Sequence, residues 1–141
     1  MGDLTESVIL LYHYGMNKAQ EILTTLRRLE RRRVQLLPAV ELPPEGLFGA
    51  LSQSRRECGS PRCHCHAEGG HLSWTLTFMV DGKRRVEHVP AELLEEVGSR
   101  LEAGKRFKAQ VAELMSINAQ LLVLDRRLRK MQQAAERKAS R

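Results

Sequence analysis

The chain has 141 residues, enough for one domain with a real core, and 42% of them are hydrophobic while only 4% are aromatic. Twenty-three Lys and Arg against 17 Asp and Glu give a formal charge of +6, a balance that favours anionic partners, nucleic acid first. The N-terminal stretch MGDLTESVILLYHYG has no basic leader and its apolar run is broken by Tyr and His, so neither a secretory signal nor a membrane span is expected. Gly2 does not make a myristoylation motif, because Glu6 stands where Ser or Thr is required.

The first element is expected to be a helix from Leu4 to Leu37. Asp3 and Glu6 have capping-box spacing. From Gly15 the apolar seam steps by four and three through Ala19, Ile22, Leu26, Leu29, Arg33 and Leu36, a heptad pattern with one polar member. Pro38 ends it, and ELPPEG (41–46) is too rich in proline to continue a helix. Residues 38–57 read as a linker with a short helical turn over Leu47–Ser52.

Residues 58–90 read as a metal-binding loop and a β-hairpin. HLSWTLTFMV (71–80) alternates, Asp81-Gly82 turns the chain, and KRRVEHVP (83–90) returns. A two-residue turn would set Leu76 against Glu87 and Phe78 against Arg85. A three-residue loop with Gly82 in a bulge would pair Leu76 with Val86 and Trp74 with His88. The second register keeps one face dry and is the one expected.

From Pro90 the chain reads as helix again, 91–135, followed by a fraying basic tail at 136–141. Glu92, Glu95 and Glu96 lie at its start and Arg126 to Lys130 towards its end, as the helix dipole favours. Gly98 and Gly104 are points for a bend or a close neighbour. Its seam is read as Phe107, Val111, Leu114, Asn118, Leu121, Asp125 and Leu128. Asn118 and Asp125 either control register or reach solvent. The fold expected is α+β, mainly α: two long helices in an antiparallel coiled-coil-like pair, joined by a small zinc-binding β-hairpin and open to doubling into a four-helix dimer.

All three cysteines, Cys58, Cys63 and Cys65, fall within ECGSPRCHCHAEGGH (57–71). Three is an odd number for a disulfide framework, and the chain is read as cytoplasmic with reduced thiols. Cys58-x4-Cys63-x-Cys65-x5-His71 offers three sulfurs and one nitrogen, a donor set suited to tetrahedral Zn2+. Gly59 and Pro61 let the first loop fold tightly, and Gly69 and Gly70 bring the chain back to present His71. His66 is the alternative fourth ligand, and His64 is expected to point away if its neighbours Cys63 and Cys65 both bind. His13 and His88 are read as ordinary helix and strand residues. A redox pair would take the form Cys-x-x-Cys, and no catalytic constellation is recognised, so no enzyme activity is expected.

Basic residues gather in five runs: Arg27, Arg28, Arg31 and Arg32; Arg55, Arg56 and Arg62; Lys83, Arg84 and Arg85; Lys105 and Arg106; and Arg126, Arg127, Arg129 and Lys130. These are candidate phosphate contacts, with a solvated helix face as the plain alternative, since Glu30 and Asp125 interleave. No helix-turn-helix signature or stacking platform accompanies them, so base-specific reading is not expected.

CGSPRCHC (58–65) with its following glycines and His71, VDGKRR (80–85), HVPAELLEEV (88–97), KRFK (105–108) and ELMSINAQLL (113–122) resemble a widespread family of small bacterial proteins. That family is often encoded beside transposases and other mobile-element genes. The resemblance covers residues 47–122 and implies that Cys58, Cys63, Cys65 and His71 occupy metal-ligand-like positions. Leu72-Ser73-Trp74 stands where the family carries Gly-Pro-Tyr, so no tyrosine role is carried over. The implied setting is DNA, or a protein of a mobile-element complex, as partner. The expected protein is a zinc-stabilised accessory subunit or regulator of DNA recombination or transposition, homo-oligomeric and without membrane or small-molecule substrate. The alternative is a non-enzymatic protein-interaction module.

Overall fold

The computed structural model describes residues 4–140, with side chains from Gly15 onward. The expectations placed on Gly2 and Asp3 lie outside the described residues, as do those on the side chains of Glu6 and His13. In chain order the elements are helix α1 (Leu4–Leu36), a 3-10 turn (Leu37–Ala39), strand β1 (Ala50–Arg56), the single-turn helix α2 (Cys65–Glu68), strands β2 (His71–Val80) and β3 (Lys83–Val89), a 3-10 turn (Ala91–Leu93) and helix α3 (Leu94–Ala139). The fold is mainly α, with two long packed helices and one three-stranded sheet in the order β1-β2-β3. None of the described helices is long and apolar enough to cross a membrane. The chain divides into two compact units, Met1–Val40 with Gln110–Arg141, and Glu41–Ala109.

In the helical unit the α1 seam is the expected one. Ile22, Leu29 and Leu36 are buried, and Gly15, Ala19, Leu26 and Arg33 are half-buried between them. Leu29 and Leu36 share a core with Ile117 and Leu121 of α3, and Leu26 and Leu124 pack against it. The α3 seam is corrected: Ile117 and Leu124 take the places assigned to Asn118 and Asp125. Asn118 is exposed, and Asp125 pairs with Arg129 one turn along its own helix at 2.9 Å. Both phases keep Leu114, Leu121 and Leu128. Burying an aliphatic at the intervening positions avoids the cost of burying an amide and a carboxylate. At the rim, Arg32 donates twice to the Glu113 carboxylate, at 2.7 and 3.1 Å.

The basic tail is corrected too, since α3 continues to Ala139, past the expected end near Ala135. Gln, Ala, Arg and Lys are good helix formers, and nothing in QQAAERKA interrupts the helix. At the other end Pro90 is extended and the α-helix begins at Leu94 after the 3-10 turn.

In the second unit the short helical turn expected over Leu47–Ser52 is replaced by β1. All seven residues of β1 pair antiparallel with β2, from Ala50 opposite Thr77 to Arg56 opposite His71. The sequence ALSQSRR has weak strand propensity. Pairing with a strong neighbour makes it a strand, and Ser52 Oγ lies 2.9 Å from Thr75 Oγ1 across the ladder.

The expected bulge register is also corrected: Leu76 stands opposite Glu87, Phe78 opposite Arg85 and Trp74 opposite Val89. Asp81 and Gly82 both have positive φ, 52° and 74°, the two-residue turn whose twist matches that of the strands it joins. The objection to charge beside the apolar row fails for two reasons. Residues 83–88 are exposed, so their charges stay in water, and Leu76 finds its apolar partner on the other side, in Leu51 of β1.

The segment before β1 docks on the first turns of α3. The Leu47 amide donates to the Arg100 carbonyl at 3.0 Å, the Arg100 guanidinium meets Glu45 at 3.1 Å, and the Phe48 and Phe107 rings stack 6.5 Å apart. Gly104 lies against the Leu47 backbone with no room for a Cβ, so it is the close-approach glycine its position suggested.

Candidate metal centre

β1 and β2 are adjacent antiparallel strands, so residues just past the end of one lie beside the start of the other. Arg56 faces His71, and Cys58 is two residues beyond Arg56. The fourteen residues 57–70 leave the sheet and return within one strand spacing. Within that excursion the Cys63 amide donates to the Ser60 carbonyl at 3.2 Å, which tightens the turn around Pro61. His64 opens α2, which carries Cys65, and Gly69 closes it in the left-handed conformation at φ 78°. The Gly70 amide returns to the Cys65 carbonyl at 2.7 Å. Gly70 itself has φ 97°, and a Cβ there would sit 2.7–2.9 Å from the Arg56 backbone. Only glycine lets the loop close onto β1.

The result is that one donor atom from each of Cys58, Cys63, Cys65 and His71 lies within 4.8 Å of the other three. Cys58 Sγ is 3.5 Å from Cys65 Sγ, and Cys63 Sγ is 3.1 Å from His71 Nε2. A tetrahedral ion with sulfur ligands at about 2.3 Å has ligand–ligand edges near ~3.8 Å, so the spacing suits an ion at the centre. Cys65 is buried, Cys58 and Cys63 are half-buried and His71 is exposed. The sulfurs thus face inward and the imidazole closes the cage at the surface.

The thiols differ in proton affinity. Hydrogen bonds from the Ser60 backbone, and then from His71, Cys63 and Cys65, lower Cys58 to about 6. At Cys65 the Cys58 amide, 3.4 Å from the sulfur, favours the thiolate. Burial and the neighbouring Cys58 and Cys63 outweigh it and raise the thiol to about 11. Three thiols this close cannot all be anionic without a cation among them. A divalent ion held by Cys58, Cys63, Cys65 and His71 would remove that conflict and favour loss of the Cys65 proton.

The remaining histidines are used otherwise. His66 Nδ1 is 3.2 Å from Glu57 and its Nε2 is 2.9 Å from the Ser60 carbonyl. Both nitrogens are engaged, so His66 braces the loop and His71 is the fourth donor. His64 is 70% exposed and 3.7 Å from Glu68, with its ring edge-on to His71 at 5.6 Å. It is exposed but does not turn away from the cluster: its Nδ1 lies 4.0 Å from Cys63 Sγ and its ring shields one side of His71. His88 is an exposed strand residue, 3.4 Å from Ser73 Oγ. The bracing roles of Glu57 and Ser60, and the hydrogen bond from Arg55 to the Gly70 carbonyl at 3.4 Å, had no signal in the sequence, because they depend on β1.

The basic residues are scattered over the fold. Arg55 and Arg56 end β1 beside the cysteine loop, which carries Arg62. Lys83, Arg84 and Arg85 begin β3 at the opposite end of the sheet, about 30 Å away along β2. Lys105 pairs with Glu102 at 2.7 Å beside Arg106. Arg27, Arg28, Arg31 and Arg32 lie on α1, and Arg126, Arg127, Arg129 and Lys130 on α3, all exposed. Arg32 and Arg129 are taken up by Glu113 and Asp125.

Fold and site together define a mainly helical protein with a Cys3His cluster capable of holding a metal ion. A family profile described as a domain of unknown function (DUF6788) matches residues 20–99, more than half the chain and all of the cluster, and the chain belongs to that family. No curated protein and no solved structure matches it.

Proposed function

We propose that the cluster holds a structural Zn2+ and that the protein is a nucleic-acid-associated accessory factor. It would act as a subunit or regulator of a DNA recombination or transposition complex. The observation that carries the metal assignment is the closed donor set. Three sulfurs and one imidazole supply all four positions of a tetrahedron, and the nearby carboxylate, Glu57, is turned to His66 instead. Soft thiolates select zinc over calcium or magnesium, and a site with no open position supports structure rather than hydrolysis. On this reading the metal staples the loop to the sheet, in a protein short of aromatic anchors and carrying no reaction of its own.

The nucleic-acid part rests on the +6 charge and on exposed arginines on both long helices, which suit sequence-independent phosphate contacts. The mobile-element setting rests on the resemblance over residues 47–122. In the same reading the chain is cytoplasmic and its long helices pair antiparallel in coiled-coil fashion. The second reading is a homo-oligomeric or protein-binding module. It is favoured by Met16 and Val34 on α1, Leu37 just past its end, and Met115 and Leu122 on α3, which are all more than half exposed.

Elemental analysis of protein purified without added metal tests the first part, with one zinc per chain expected. Anisotropy of a labelled DNA duplex at two salt concentrations tests the second. Affinity that falls steeply with salt supports it, and absence of binding at low salt leaves the interaction module as the better reading.

A further inference from the structure

The excess charge is not shared between the two units. Of the 23 Lys and Arg residues, 13 lie in the helical unit with 7 of the 17 acids, and the sheet-bearing unit holds the other 10 of each. The whole +6 therefore belongs to the helical unit, and the unit that carries the metal cluster is neutral. Long-range attraction of a polyanion follows net charge rather than the number of arginines.

Within the helical unit the same spacing occurs twice. Arg27-Arg28-x-x-Arg31 on α1 and Arg126-Arg127-x-x-Lys130 on α3 each set cations at i, i+1 and i+4. Positions i and i+4 lie on one helix face about 6 Å apart along the axis, a span that covers roughly two phosphates of one DNA strand. All six side chains are exposed, and among the described residues none of them makes an ion pair. Single acids adjoin the basic runs in both units, Glu30 and Asp125 beside the triads and Asp81 and Glu87 around Lys83 to Arg85, so what separates the units is net charge.

Resting on the nucleic-acid reading above, we propose that the phosphate-binding surface is the helical unit, through these two Arg-Arg-x-x-basic triads. The metal-bearing unit does not contribute to it. The ligand is the backbone of duplex DNA, and the metal cluster serves folding and not contact.

The test uses the full chain with its metal and a labelled duplex of arbitrary sequence, with affinity measured across a salt series. Three variants are compared with the wild type: R27Q/R28Q/R31Q, R126Q/R127Q/K130Q and, as control in the neutral unit, K83Q/R84Q/R85Q. Glutamine keeps helix propensity close to that of arginine, and circular dichroism checks that each variant is folded. Each helical triad is expected to flatten the slope of log affinity against log salt by about two, while the control keeps the wild-type slope. If the control flattens the slope as much as the helical triads, this assignment is wrong and the nucleic-acid reading stands. If the wild type binds no duplex at low salt, both fall together.

Discussion

Arg56 and His71 face each other across β1 and β2, the last residue of one strand opposite the first of the next. That pairing brings Cys58 and His71 to the same end of the sheet, although thirteen positions separate them in the chain. The fourteen-residue excursion between the strands starts with Cys58 already in place and then has to bring back Cys63 and Cys65.

The fourth ligand can be read directly. His71→Ala should lower metal retention against a chromophoric chelator. His66→Ala should keep the metal stoichiometry, because His66 contacts Glu57 and Ser60 rather than the sulfurs. Loss of metal from the His66 variant with retention in the His71 variant would reverse the assignment.

Closure of the loop depends on Gly70. Gly70→Ala places a Cβ against the Arg56 backbone at φ 97° and should cost about 2 kcal/mol or more. Gly59→Ala, with nothing within 4 Å of the added atom, should be neutral or stabilising by up to about 1 kcal/mol. Thermal melts of the two metal-loaded variants decide it, and similar melting temperatures would contradict the close approach.

The α3 seam has a matching pair of tests. Ile117, 3% exposed within the helical core, should cost about 2–4 kcal/mol on truncation to Ala. Asn118→Ala, on the exposed side, should change stability by only a few tenths of a kcal/mol, in the stabilising direction. Urea denaturation of both variants checks this. A large loss at Asn118 would restore the polar seam.

In chelator-treated protein, Cys58 is the thiol to watch. Its value is lowered from 9.0 to about 6, so its alkylation by iodoacetamide should rise through about pH 6, well below the range of an ordinary thiol. The sign for stability follows. The hydrogen bonds to the Cys58 thiolate contribute fully above pH 9, where the unfolded thiol is also ionised, and their contribution fades as pH falls through about 6. A Cys58 profile with its midpoint near 9 would show that the hydrogen bonds from Ser60 and His71 are not formed.

Much of this molecule is local, and what is local can be read from the chain. The α1 seam from Gly15 to Leu36 follows from helical periodicity, Pro38 ends the helix because it lacks an amide proton, and the ligand set is visible because soft donors are gathered within fourteen residues. Gly69 and Gly70 announce a reversal that other residues would resist.

Tertiary structure decided what depends on partners distant in sequence. ALSQSRR becomes a strand only because β2 offers a ladder, and without β1 nothing assigns Cys58 its place or Glu57 and Ser60 their roles. The turn at Asp81-Gly82 chose strand twist over a uniformly apolar face, since exposed charges cost little there. On α3, the choice between Ile117 and Asn118 was settled by the helix packed against it, because desolvation is paid only where another surface excludes water.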